Sequence, residues 1–269
     1  MVSVEKWRVW GSVVEVDVTE GAALPEATSL IVGVIDEAES VCDLQRGDAE
    51  IHAVNLSQGA PVKVSRRMSA LLRSALWAAR MTDGAVNPLV SERPGENVIP
   101  TVHPEPSYLD VQIDDDVVFA PWGASLDITD IAKADTVGRA ADLVARELEC
   151  GALVRIGDVI ATSGHCPAGG WQVPVPGDDT VELVNGTAMS TTFGPPAAEP
   201  PTDTEPPFTE PLSTEWATVT VIADDALWAY AASVAAMSRG IGAIRWIEQQ
   251  ELRARLEDRA GRVYTTENW

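Results

Sequence analysis

The stretch ASLDITDIAKADTVGRAADLVARELECGALVRIGDVIATSG, residues 124–164, sets Asp127 and then Ala132-Lys133 where a strand gives way to a helix. Such a junction suits anionic ligands, because free backbone N–H groups and the positive end of the helix dipole both point outward there. Other residues with chemical potential fit less well. His165 and Cys166 are adjacent, so in a strand their side chains point apart, and nothing completes a triad. Asp114-Asp115-Asp116 lacks the spacing and glycine of a calcium loop and reads as a solvated turn. His103 and Glu105 lie among prolines, where a histidine is normally solvent-exposed rather than a metal ligand.

The elements that must hold the junction follow from periodicity. Val137, Ala140, Ala141, Val144 and Leu148 recur at helical spacing, predicting a helix over 132–148 after a strand ending at Leu126-Asp127. ALVRI, residues 152–156, is short, β-branched and flanked by glycine, so it reads as a strand closed by a Gly157-Asp158 turn. Upstream, residues 7–18 alternate as one strand, residues 30–40 carry an apolar helical stripe, and Ser65 caps a helix running to Arg80. Residues 108–121 form a hairpin around the acidic tip. Downstream, residues 180–194 read as a strand and a turn, 217–223 as a buried strand, and 223–250 as helix broken near Gly240–Gly242. A strand, a turn at Ala260-Gly261 and another strand close the chain. Residues 91–107 and 194–214 are rich in proline and acid and read as extended connections.

At 269 residues and 45% hydrophobic content, the chain can bury a large core. The formal charge of −22 argues against nucleic acid and against an anionic membrane face. No apolar run approaches the ~20 residues of a membrane span, and MVSVEKWRVW lacks the apolar run of a signal peptide. Cys42, Cys150 and Cys166 are odd in number and widely spaced, as expected of reduced thiols. Together these predict a cytoplasmic protein.

The motifs along most of the chain resemble those of the FAD:protein FMN transferases, the ApbE family, and of its actinobacterial branch in particular. Leu126-Asp127 and Ala132-Lys133 match the family's Leu-Asp and Ala-Lys-Gly, with Ala134 for the glycine; Gly138 replaces a helical Asp, and Gly157-Asp158 shortens Gly-Gly-Asp. Trp10-Gly11-Ser12 resembles the Met-Gly-Thr opening, and Thr82-Asp83-Gly84-Ala85-Val86-Asn87-Pro88 resembles Thr-Asp-Gly-Ala-Phe-Asp-Pro. Asp48-Ala49-Glu50-Ile51 and Asn55 stand for Asp-Ser-Glu-Leu and Asn, Gly169-Gly170-Trp171 falls on the branch's Pro-Gly-Gly-Trp turn, and residues 188–192 match its Ala-Thr-Ser-Ser-Thr.

The resemblance implies one α+β domain over 1–269, with mixed β-sheets flanked by helices in an ApbE-like, T-fold-like architecture. A cleft is expected between the 132–138 and Ser190 regions. It further implies FAD bound near Gly11, Ser12, Glu50, Asn55, Asp83, Asp127, Ala132, Lys133 and Ser190, and FMN transfer to a Thr or Ser of a target flavoprotein. Family members hold Mg²⁺ with an Asp and a Thr beside a backbone carbonyl, here that of Ala132. Tyr230 and Val234 occupy the two side-chain positions, and neither supplies the oxygen that Mg²⁺ takes. The family histidine of the 194–214 region is also absent, since no histidine follows His165; Pro207-Phe208-Thr209 is the remaining skeleton. Three readings stay open: a flavin binder with weak or lost transfer, an active transferase using Asp130, Asp135, Asp224 or Asp225 instead, and a non-catalytic acidic interaction protein with Tyr230 plugging the cleft.

Overall fold

The computed structural model describes residues 2–90, 106–177, 179–195 and 215–269. His103 and Glu105, the connector around them, and nearly all of the 194–214 stretch with Pro207-Phe208-Thr209 lie outside the described residues. In chain order the first half contains β1 (Ser3–Val9), β2 (Ser12–Val18), α1 (Leu24–Cys42), α2 (Ile51–Asn55), β3 (Val62–Lys63), α3 (Arg66–Met81), β4 (Gln112–Asp114), β5 (Val117–Phe119) and α4 (Thr129–Leu148). The second half contains β6 (Ala152–Ile156), β7 (Val159–Ser163), β8 (Trp171–Val175), β9 (Asp179–Leu183), β10 (Ala188–Phe193), β11 (Trp216–Ala223), α5 (Ala226–Ser238), α6 (Ala243–Gln249), β12 (Arg253–Asp258) and β13 (Val263–Thr265).

One eight-stranded sheet runs in the order β1-β2-β6-β7-β10-β11-β12-β13, and every described pair in it is antiparallel. On one face α1, α4 and α5 pack over it, with α3 against them. The alternation in β2 explains that packing: Val14, Val16 and Val18 are fully buried toward the helices. α4 presents Ile131, Val137, Ala140, Ala141 and Val144 to the same core, each of the larger side chains contributing about 1.5–3 kcal/mol of burial. The opposite face is covered by the β8–β9 hairpin, whose Trp171, Val173, Val175, Val181 and Leu183 meet Leu153, Ile160, Met189 and Ile222. A small sheet, β3-β5-β4, stands apart from the main one. The expected α+β class is therefore the class found.

Four local expectations need correction. Residues 7–18 are not one strand: Trp10 and Gly11 adopt positive φ (54° and 65°) and turn the chain into the β1–β2 hairpin. Leu126-Asp127 is not a strand end but a single bridge between Leu126 and Leu89. Residues 188–192 form no turn; they are central strand, with Ala188–Phe193 paired to β11 and Ala188–Ser190 paired to β7. α4 begins at Thr129 rather than at 132; Asp127, one residue before the Ile128 N-cap, accepts from the Thr129 N–H through Oδ1 at 2.9 Å. Elsewhere β6, the Ser65 cap and the Gly240–Gly242 break fall where periodicity put them; Ser65 Oγ accepts from the Met68 N–H at 3.1 Å.

Candidate functional site

Two hairpin turns and the start of α4 meet at one end of the sheet. The Trp10-Gly11 turn lies beside the Gly157-Asp158 turn, since Gly157 N–H donates to Val13 O at 2.9 Å and a Cβ at Gly157 would come within 3.5 Å of Ser12 Oγ. At Gly11, a Cβ would meet nothing within 4 Å, so the backbone there borders open space. Lys133, in the second turn of α4, sets its ammonium 5.9 Å from the Trp10 ring and 3.5 Å from Asp130 Oδ1. Trp10 is buried, and among the described residues its Nε1–H has no partner.

The lead into α4 is held from far upstream. Asn55, closing α2, donates through Nδ2 to Leu126 O at 2.9 Å and accepts at Oδ1 from Leu126 N–H at 2.8 Å. It thereby satisfies both backbone groups of a fully buried residue. Glu50 does similar work on α3: its two carboxylate oxygens accept from Ser65 N–H (2.5 Å) and Ser65 Oγ (2.6 Å). Both side chains thus brace the backbone around the junction in this structure. Asp83 sits at φ 54° after α3, turned to solvent and paired with Arg239 at 2.9 Å.

α5 crosses α4 at close range; a Cβ on Gly138 would lie 3.6 Å from Ala226 Cβ. From that crossing α5 carries Tyr230 to the start of α4. Burial, with the nearby negative charge of Asp130 and Asp127, drives its phenol well above the usual range. Val234 packs against the main core. Between them Ser233 is fully buried, with Oγ 2.7 Å from Thr192 Oγ1, 3.2 Å from Ser190 Oγ and 2.9 Å from the Tyr230 carbonyl. Ser190 therefore lies beneath α5, 1% exposed, while Thr191 and Thr220 pair their hydroxyls at 2.9 Å on the other face of the sheet. Ala132 is fully buried within α4, where a regular helix commits its carbonyl to the amide four residues on.

The structure separates the four alternative acids. Asp130 stays at the Tyr230 end. Asp135, Asp224 and Asp225 instead line a cavity of about 640 Å³ between α3, α4 and the start of α5, together with Gly138, Ala188 and Arg67. Asp225 caps α5, accepting from Trp228 N–H at 2.8 Å, and Asp135 is bound to Arg67 at 2.8 Å. Among the described residues no group of three or more His, Cys, Asp or Glu side chains is arranged to hold a metal ion. Mg²⁺ therefore does not fit the residues present at Tyr230 and Val234: one is aliphatic and the other is a phenol held protonated. The fit to an FAD-like dinucleotide is better, since the open backbone at Gly11, the Lys133 ammonium and the unpartnered Trp10 N–H offer space, charge and a donor.

Motif reading missed Ser233 and Arg67. Ser233 had no local signal, because its partners come from strand β10. Arg67 had one: a cation in the first turn of a helix opposes the dipole, so it needs a carboxylate, and Asp135 with Thr136 Oγ1 (3.2 Å) supplies the pairing. His165 and Cys166 form no catalytic pair; His165 Nε2 lies 2.9 Å from Glu20 Oε1 and 3.0 Å from Thr19 Oγ1.

The sequence model of the ApbE family matches residues 10–193. The chain is similar to the apo flavinyl transferase ApbE of Pseudomonas stutzeri (20% identity, 99% of this chain and 96% of that one, TM-score 0.78). It is also similar to the ApbE protein of Thermotoga maritima (18%, 100% and 98%, TM-score 0.79). A third likeness is to the flavin transferase ApbE of Vibrio cholerae (16%, 99% and 98%, TM-score 0.76). No curated protein matches the sequence.

Proposed function

Since the chain belongs to the ApbE family, we propose that it binds FAD at the junction of the Trp10-Gly11 turn with α4, and that FMN transfer to a Thr or Ser of a target flavoprotein is weak or lost. The reading takes residues 1–269 as one ApbE-like domain, a divergent member of the actinobacterial branch, working in the cytoplasm. Among the described residues no helix is long and apolar enough to cross a membrane, and the three cysteines are free, which supports that placement.

In this reading Lys133 and the amides of Asp130 and Ile131 in α4's first turn face the phosphates, and Gly11 and Ser12 let the dinucleotide approach the backbone. Asn55 and Glu50 act at one remove, by fixing the segments that carry the contacts. Asp83 and Ser190 remain assigned by resemblance. In the family Mg²⁺ neutralises charge that grows on the phosphoryl oxygens as the pyrophosphate breaks. Here that contribution is missing, and so is the histidine.

The placement of Tyr230 carries the proposal. In this reading Tyr230, a phenol near enough to Asp130 and Asp127 to feel their charge, takes the place of the family's metal carboxylate, so no divalent ion compensates that charge. The test is FAD titration by fluorescence quenching, followed by AMP release from FAD with Mg²⁺ and a Thr-containing target peptide. The expected result is saturable FAD binding with little AMP, and AMP formation restored in part by Tyr230→Asp with Val234→Thr. No FAD binding would support the interaction-protein alternative. Brisk Mg²⁺-dependent AMP release by the unaltered chain would show that transfer survives with other ligands.

A further inference from the structure

Acids outnumber bases 41 to 19 in this chain, yet α3 holds four arginines and no acid. Arg67 turns inward to Asp135. Arg66, Arg73 and Arg80 are exposed and recur every seven residues, so they share one face, and Trp77, 39% exposed, stands on that face between Arg73 and Arg80. An aromatic row continues from it across two further helices. Trp77 meets Trp228 of α5 edge-on at 5.6 Å between centroids, Trp228 meets Trp246 of α6 at 6.1 Å, and Arg239 lies over the Trp246 ring at 4.5 Å. Arg245 is exposed next to Trp246.

Some countercharge is present. Asp83 pairs with Arg239, Arg73 donates to the Asp115 carbonyl at 3.0 Å, the acidic tip Asp114–Asp116 flanks the first half of α3, and Glu248 lies on α6. Among the described residues Arg66, Arg80 and Arg245 enter no ion pair. Packing of the three helices accounts for the buried edges of the tryptophans; it does not call for a seven-residue arginine register beside them.

We propose that this arginine–tryptophan face of α3, α5 and α6 docks an acidic polypeptide segment that also carries apolar side chains. Guanidinium forks match carboxylates, and a partly desolvated tryptophan row matches aliphatic or aromatic side chains set among them. The net charge of −22 repels any polyanion at long range; a nucleic acid carries a charge at every residue, whereas a peptide can confine its carboxylates to the arginines. A second copy joined by two-fold symmetry would lay arginine on arginine. The inference does not depend on the flavin reading: of the residues around this face only Asp83, the partner of Arg239, is also assigned to FAD.

The test uses the full chain and a fluorescein-labelled peptide of alternating Glu-Glu and Leu-Phe pairs, read by anisotropy and by tryptophan emission at low and physiological salt. Three probes of equal length serve as controls: poly-glutamate, the same peptide with Lys for Glu, and oligothymidylate. The expected result is saturable, salt-weakened binding with a tryptophan emission shift, weaker binding of each control, and roughly tenfold loss in the exposed double variant R80E/R245E. Trp77→Ala should weaken the Leu-Phe peptide and leave poly-glutamate unchanged. Absence of saturable binding, equal binding of any control, or unaltered affinity in R80E/R245E with a wild-type circular dichroism spectrum would overturn the proposal.

Discussion

Replacing Asn55 with alanine should test how the junction is held. Asn55 makes two hydrogen bonds, at 2.8 and 2.9 Å, to the N–H and C=O of Leu126, a residue with no exposed surface. The neighbouring bridge does not use those groups: Val90 N–H bonds to Ser125 O, and Asp127 N–H to Pro88 O. Alanine therefore orphans one donor and one acceptor. Each orphan costs about 1–3 kcal/mol, and because Asn55 is only half-buried some water reaches the gap, so the pair predicts about 2–4 kcal/mol of destabilisation. With an m of about 3 kcal/mol/M, the urea midpoint should fall by about 1 M at unchanged m. The Leu126 amide should lose hydrogen-exchange protection more than amides of β10 or β11 do. Asn55→Asp should be little better, since its carboxylate keeps the acceptor but faces the Leu126 carbonyl with another oxygen. A midpoint within error of wild type, or an unaltered Leu126 exchange rate, refutes the reasoning.

Other expectations can be checked alongside. Glu50→Ala removes the acceptors of Ser65 N–H and Oγ and should lower stability by about 1–2 kcal/mol in a thermal or urea melt, while Glu50→Gln should recover part of it. Asp17 is raised to about 6, first by burial and then by Glu15, so the native state holds its proton where the unfolded chain has released it. Stability from this group therefore falls as pH rises from about 4 to about 6, and Asp17→Asn should flatten that part of the curve relative to wild type. Burial pushes the Cys42 thiol up to about 12, and Cys150 is buried as well. Ellman's reagent should therefore modify Cys166 first in the native protein and reach Cys42 only after denaturation, as peptide mapping would show.

What could be read from residue order alone was what depends on near neighbours. The apolar stripes of α1, α3 and α4, the Ser65 cap and the glycine break before α6 are local patterns, and they sit where spacing puts them. The β1–β2 turn was hidden because Trp10-Gly11 is not a usual hairpin pair; a tryptophan at φ 54° is a conformation that sequence statistics do not anticipate. Residues 188–192 read as a turn only through their match to the family's Ala-Thr-Ser-Ser-Thr, not through any local pattern. They are central strand because Ser233 and Thr220, far along the chain, bond their hydroxyls. The bracing by Asn55 was equally unreadable, since its partner lies 71 positions away. The family motifs were legible; that Asn55 and Glu50 bind backbone in this structure was not.

The order of strands in the main sheet also governs how the chain must assemble on the ribosome. β2 has its inner neighbour in β6, whose register pairs Val18 with Ala152, so the first hairpin emerges with nothing to zip against until more than half of the polypeptide has been made. Until then β2 keeps one edge unpaired, and only α1 is at hand to cover part of its apolar face. Nascent chains stalled before and after β6 should therefore differ sharply in chaperone capture, with the handover at the point where β6 clears the exit tunnel.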